Sequence, residues 1–326
     1  MTELVLDKYN IKNYSNYYDE IPKGVSSIGA PSFWSKGITG SGIVVAVLDS
    51  GCQSDHPDLK DRIVGGFNFT SDYNGDTSIY EDNLQHGTHV AGIIAGSYDG
   101  HGIVGVAPEA NLLILKVISG SGSGTYNNLI RAIFYAIHWR GTKQERVRII
   151  TMSLGGAEPD PLLHLAIRIA IKNDILVVTS SGNYGDGNLD TEEILYPAYY
   201  PEVVAVGAIN DEKIVAAFSN SNDEVDLYAP GTDIYSTVPN GLYAQLTGTS
   251  MAAPHVAGVA ALLLQTLEKE SGKPISEKEL FKVLIEQTTV TDQNIRALSL
   301  DYKKFNAFLD NTNKSNSVKG CFLGES

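Results

Sequence analysis

The sequence predicts an α/β protein built on a doubly wound parallel sheet. Three observations predict it. Short apolar runs rich in Val, Ile and Leu recur along the chain without polar alternation, as in Ile43–Leu48, Leu112–Val117 and Val147–Met152. Such runs suit strands buried on both faces, which is how parallel sheets sit in α/β proteins. Segments with helical spacing lie between them, and the links are turn-rich.

Taken in order, residues 1–19 form an N-terminal extension that is polar and rich in tyrosine, and the globular part begins near Glu20. A short helical stretch over Ala30–Trp34 leads through the turn-rich Gly37–Gly42 to the strand Ile43–Leu48. That strand runs into Asp49-Ser50-Gly51, so a carboxylate stands at a strand's C-terminal end, where open α/β sheets place their chemistry. Ile63–Phe69 reads as a strand and the acidic Ser71–Asn83 as a loop. His86–Gly96 opens a helix of small residues with a histidine at its start. Leu112–Val117, Val147–Met152, Ile175–Thr179 and Val203–Val206 are further strands, with helices over Tyr126–Trp139 and Pro161–Lys172 between them. Ser250 opens a long apolar helix to about Leu267, and Ser276 with Glu279 forms a capping box for another, to about Gln287. The expected division is an extension over 1–19, one globular domain over 20–310, and an Asn/Ser/Lys-rich tail over 311–326.

Composition bounds the function. The 326 residues carry 24 Lys and Arg against 38 Asp and Glu, a net charge of −14. So acidic a surface disfavours nucleic acid and anionic membranes as partners. The two cysteines, Cys52 and Cys321, are too few for a disulfide framework and have no metal-ligand spacing. The N-terminal stretch has neither the basic nor the apolar region of a signal peptide, so the expected location is the cytoplasm.

The chemistry is carried by separated segments. Ser250 sits between Gly248 and an apolar helix, where free backbone N–H groups and the helix dipole favour a developing negative charge. A serine nucleophile needs a base for its proton, and a carboxylate to hold that base in one tautomer. His86 and Asp49 supply both, in the known chain order Asp…His…Ser. Asn183 follows another buried strand, where its amide could donate to the oxyanion beside the N–H of Ser250.

Asp49-Ser50-Gly51, His86-Gly87-Thr88-His89-Val90-Ala91-Gly92, Ser181-Gly182-Asn183 and Gly248-Thr249-Ser250-Met251-Ala252-Ala253-Pro254-His255-Val256-Ala257-Gly258 resemble the four signature blocks of subtilisin-family serine proteases. The resemblance runs from about Glu20 to about Gln287. It implies a three-layer fold with a seven-stranded parallel sheet flanked by helices, and endopeptidase activity. It makes Ser250 the nucleophile, His86 the base and acid, Asp49 the orienting carboxylate and Asn183 the oxyanion donor. His56, His89 and His255 are read as structural.

The same resemblance implies a substrate groove. One wall is Ser153, Leu154 and Gly155; the other is Ile118, Ser119 and Gly120. Gly182 closes the primary pocket above a floor near Leu195, a residue larger than the family usually has there. It implies structural calcium held by Asp19, Asp58 and Asp99. Apart from the resemblance, the acidic cluster Asp186, Asp190, Glu192 and Glu193 just past Asn183 reads either as a second cation site or as solvated loop carboxylates. Within the family the chain looks most like the intracellular subtilisins of Gram-positive bacteria. That group is typically dimeric and is inhibited by its own short extension, which usually carries Leu-Ile-Pro-Tyr/Phe. The matching positions here are Leu6-Asp7-Lys8-Tyr9, without the proline, so the expected device is a weak inhibitor that the enzyme itself removes. A cytoplasmic leader peptidase for a modified peptide, of the lantibiotic type, would share every catalytic block. A non-catalytic binding relative would not need all four.

Overall fold

The computed structural model describes residues 3–6, 10–15 and 21–309. Asp7, Lys8, Tyr9, Asp19 and the tail 311–326 with Cys321 lie outside the described residues. The chain begins with β1 (Glu3–Leu6), β2 (Asn10–Ser15), α1 (Lys23–Ser27), α2 (Pro31–Trp34) and β3 (Val44–Asp49). It continues through β4 (Ile63–Asn68), α3 (His86–Ala95), β5 (Asn111–Lys116), β6 (Ser123–Thr125) and α4 (Tyr126–His138). Then come β7 (Val147–Met152), β8 (Leu154–Gly155), α5 (Pro161–Lys172), β9 (Leu176–Ser180) and β10 (Val204–Ile209). The last third adds β11 (Val225–Pro230), β12 (Ile234–Val238), β13 (Leu242–Thr247), α6 (Thr249–Ser271), α7 (Glu277–Glu286), β14 (Thr288–Val290) and β15 (Arg296–Leu298).

The main sheet has the order β4-β5-β3-β7-β9-β10-β11-β15-β14. Its first seven strands are all parallel to their neighbours. Seven is the number the resemblance implies; β15 continues the sheet through one parallel pair, Tyr228 opposite Ala297, and β14 closes it antiparallel. From β3 the chain goes out to β4, returns through β5, then crosses to β7 and proceeds to β11. Winding therefore reverses at β3, and Asp49 stands at that reversal, where neighbouring connections leave in opposite directions and open a crevice.

Alternation along each strand builds the layers. Val45 and Val47 of β3, with Leu112 and Ile114 of β5 and Leu176 and Val178 of β9, belong to one core with α3 and α6. Val44, Ala46 and Leu48, with Leu113, Leu115 and Val177, belong to a second core with α4 and α5. Both faces are thus covered, which explains the unbroken apolar runs. α6 is long and apolar enough to cross a membrane, but it is almost wholly buried as the central helix of the first core.

Two further sheets lie outside the main one. β12, β13 and β2 form an antiparallel sheet, with β2 paired along β13 from Asn10 opposite Thr247 to Ser15 opposite Tyr243. β1 lies between β6 and β8, antiparallel to both.

At the far end of α6, the capping box on α7 is formed as expected: Glu279 N–H donates to Ser276 Oγ and Ser276 N–H to the Glu279 carboxylate. Beside it, burial and then the nearby Asp174 push the Glu277 carboxyl up to about 7. A carboxyl whose folded value exceeds its unfolded one costs nothing while both are protonated, and costs most once pH passes the folded value. Glu277→Gln should therefore raise the melting temperature at pH 8 and leave it unchanged near pH 4, measured by thermal unfolding. Equal shifts at both pH values would show that Glu277 carries no folding penalty from its charge.

Candidate active site

Asp49 and His86 meet at the winding reversal. Asp49 is 1 % exposed and His86 fully buried, with His86 Nδ1 2.8 Å from Asp49 Oδ1. The carboxylate can only accept, so Nδ1 carries the proton and Nε2 is the basic nitrogen of that tautomer. Asp49 Oδ1 also accepts from Ser50 N–H at 2.6 Å. The contact depends on Gly87: a Cβ there would stand 2.1 Å from the Gly51 carbonyl oxygen and 3.2 Å from Asp49, so any side chain would push α3 off the end of β3.

Ser250 lies in the first turn of α6. Four residues on, Pro254 has no N–H to give the Ser250 carbonyl. Ser153 fills that role: its hydroxyl donates to the Ser250 carbonyl at 2.9 Å, while Ser250 Oγ donates to the Ser153 carbonyl at 3.4 Å. The serine is thus held from β7's end by both its backbone and its side chain. Asn183 is fixed beside it. Its Oδ1 accepts from Thr249 N–H and from Thr249 Oγ1, both at 2.8 Å, which assigns the amide orientation and leaves the Nδ2 end as donor.

β1 shows how an extended chain lies beside these groups. Val5 stands opposite Gly155 and Leu6 opposite Leu154, while Glu3, Leu4 and Val5 oppose Thr125, Gly124 and Ser123. Leu4 is fully buried in the second core. On its other side β1 thus pairs with β6, five residues beyond the Ile118, Ser119 and Gly120 read from the sequence. Ser119-Gly120-Ser121-Gly122 turns back on itself, with Gly122 N–H donating to the Ser119 carbonyl. Gly120 N–H is tied to Asp72 at 2.8 Å, and Ile118 is bridged to Gly124 behind the edge. The alternating serines and glycines of 119–124 hide that turn from pattern reading. Leu195 is buried against Gly155, where a Cβ would stand 2.4 Å from its Cδ2, and Gly182 takes φ +112° beside Asn220.

The expected cation ligands separate into two groups. Asp58 is buried; Oδ2 accepts from Ile103 N–H at 2.9 Å and Oδ1 from Tyr243 OH at 3.0 Å. Burial pushes its carboxyl up to about 6, and the nearby Asp99 acts in the same direction. Gly102, at φ +64°, lets loop 97–103 close over it: a Cβ would overlap both Asp58 oxygens. The second group sits on a largely exposed loop. Among the described residues no three acidic, histidine or cysteine side chains converge as a metal cluster. Asp186 accepts from Asn188 N–H and Thr191 Oγ1, and Glu193 from Ser221 N–H, while Asp190 and Glu192 are exposed. These carboxylates pin their own loops, which a dense run of acidic residues does not reveal.

His56, His89 and His255 are committed to hydrogen bonds within the fold. His56 bonds the Leu242 carbonyl through Nε2 and Asp58 N–H through Nδ1. His89 Nε2 donates to the Ile234 and Ala244 carbonyls, and burial pulls its pKa down to about 3. His255 Nδ1 donates to the Met251 carbonyl, and burial pulls it down to about 4. Lys116 was missed by sequence reasoning. It is fully buried at the end of β5, donating to the carbonyls of Ser50 and Ile118 and to Asn83 Oδ1, and pairing with Asp72. A lysine closing the apolar run Leu112–Leu115 was the available signal.

Residues 40–314 match the family model described as the subtilase family. The chain belongs to the subtilase family. It is 51 % identical over 280 residues to an intracellular serine protease of Paenibacillus polymyxa, covering 86 % of this chain and 84 % of that one. It is 50 % identical over 275 residues to the major intracellular serine protease of Bacillus subtilis strain 168, covering 84 % of each. With subtilisin E of the same organism it shares 44 % over 248 residues, 76 % of this chain and 62 % of the other. This subtilase is a serine-type endopeptidase, and its substrate is a protein or peptide.

Proposed function

We propose that Asp49, His86 and Ser250 act as a catalytic triad, with Asn183 as oxyanion donor, in protein turnover or processing in the cytoplasm. The observation that carries this reading is the buried Asp49–His86 contact at the sheet's winding reversal. Ser250 Oγ attacks the peptide carbonyl carbon while its proton passes to His86 Nε2, and Asp49 stabilises the imidazolium. The carbonyl oxygen becomes an oxyanion facing Asn183 Nδ2 and the Ser250 N–H. Collapse breaks the C–N bond, the amine leaves with the proton from His86, and water repeats the sequence on the acyl-serine. Ser250→Ala should abolish labelling by a fluorophosphonate probe. Stoichiometric labelling of that variant would remove Ser250 as nucleophile.

The extension is read as a weak, self-removable inhibitor. β1 pairs with both walls as an added strand, and Leu4 fills an apolar site, which supports a substrate-like occupant. Just beyond Leu154 on the β8 side is Ser153, the residue that holds Ser250. No proline lies between Leu6 and Asn10. Full-length enzyme should show a lag that deletion of residues 1–17 removes, and active enzyme should trim full-length Ser250→Ala within 1–19. An unchanged initial rate together with an untrimmed Ser250→Ala chain would show that the extension is not an inhibitor.

Structural calcium fits Asp58 and Asp99. Asp58 is buried and Asp99 is exposed on the loop that closes over it, and together they offer hard-oxygen donors whose mutual repulsion a divalent cation would relieve. Each Asp58 oxygen uses one hydrogen bond and keeps a lone pair. A cation bound only by the folded form raises stability by mass action. Chelation should lower the melting temperature, and Asp58→Ala should blunt that response. Identical melting with and without chelator would dismiss the site.

A further inference from the structure

The N-terminus of α3 is held in an unusual way. A helix leaves four N–H groups unpaired at its start, and Gln85, the N-cap residue, sits at φ 75° with no side-chain capping bond. The caps come from elsewhere. Thr88 N–H donates to Asp82 Oδ2 at 2.9 Å and Gly87 N–H to Ser50 Oγ at 2.9 Å. Asp82 also accepts from Thr88 Oγ1 at 2.7 Å, Leu84 N–H at 2.9 Å, Gln85 N–H at 3.0 Å and Ser50 Oγ at 2.8 Å. One carboxylate, only 9 % exposed, thus gathers five donors.

These bonds close a ring. Ser50 follows Asp49 directly and donates its N–H to Asp49 Oδ1. Its hydroxyl runs to Asp82, Asp82 holds the turn that starts α3, and α3 carries His86, whose Nδ1 returns to Asp49 Oδ1. The strand that bears the acid and the helix that bears the histidine are therefore fastened to one another through Asp82. Lys116 braces the same junction from outside, on the Ser50 carbonyl and on Asn83, next to Asp82.

We propose that Asp82 is a positioning residue for catalysis, fixing the His86 ring on Asp49 through Ser50 and the first turn of α3. The inference rests on the reading of His86 as the base. Asp82 stands outside the triad and acts through alignment. A ring that drifts off Asp49 loses the partner that stabilises its protonated form, so it titrates at lower pH. The titratable groups around this junction, besides His86, are Asp49, Glu81, Asp82, Cys52, His89 with His255 beside it, and Lys116 with its partner Asp72. Burial keeps the Cys52 thiol and the His89 imidazole neutral.

The test uses the full-length chain, assayed on a short chromogenic peptide once the rate is constant. Asp82→Asn should lower kcat about 10²-fold, the cost of misplacing a catalytic group by about 1 Å. KM should stay within about twofold, and the acid limb of kcat/KM should move to lower pH. Ser50→Ala, which cuts only the hydroxyl link, should shift the limb in the same direction, and Ser50→Thr should restore it. A folded Asp82→Asn variant with unchanged kcat and an unmoved limb would overturn the proposal. Should Asp82→Asn fail to fold, an unmoved limb in Ser50→Ala overturns it instead. His86→Ala separates the two readings: residual full activity there would remove His86 as base, whereas its inactivity beside unaffected Asp82 and Ser50 variants would remove only the positioning role.

Discussion

A carboxylate and an imidazole buried against each other at the end of β3 are what the architecture has to maintain. Neither group would be stable there alone, because burial penalises an unpaired charge and an unpaired polar ring alike. The 2.8 Å contact joins a strand to a helix 37 residues further along the chain. Winding reversal at β3 opens the crevice, Gly87 lets α3 approach, and Ser50, Asp82 and Lys116 take up the backbone and side-chain groups that the approach would otherwise strand.

Ser250 is secured by a different device. Pro254 takes one hydrogen bond out of α6, and Ser153 supplies a replacement from the neighbouring strand end. Ser250 is thereby tied to β7 and β8, the same segment against which β1 lies. The strand against which β1 lies and the serine proposed as nucleophile thus belong to one hydrogen-bonded unit. Preorganisation of this kind is what lets acyl transfer proceed with little rearrangement at the moment of reaction.

Much of this was legible in the sequence. The runs Ile43–Leu48 and Val147–Met152 are buried on both faces, so composition alone identified them as central strands, and the Ser276–Glu279 capping box formed as read. β11, β12 and β13 went unrecognised. They are partly exposed or lie at small-sheet edges, where polar residues interrupt the pattern. At the site, Asp49 and His86 were identified by chemistry and are brought together. Asp82 and Lys116 were not, because their roles are set by contacts between segments far apart in sequence. The turn that separates Ile118 and Ser119 from β6 is one that serine and glycine spacing cannot register. In the acidic run 186–193, charge density is visible in sequence, whereas the hydrogen bonds that Asp186 and Glu193 accept are not.

The central claim is that Asp49, His86 and Ser250 work as one unit rather than as three independent contributors. It is tested most directly by comparing kcat for His86→Ala, Ser250→Ala and the double variant on one peptide substrate. Groups that act together lose nearly all of their joint contribution when either is removed. The account predicts that the double variant is no slower than the slower single variant. Losses that multiply in the double variant would contradict it.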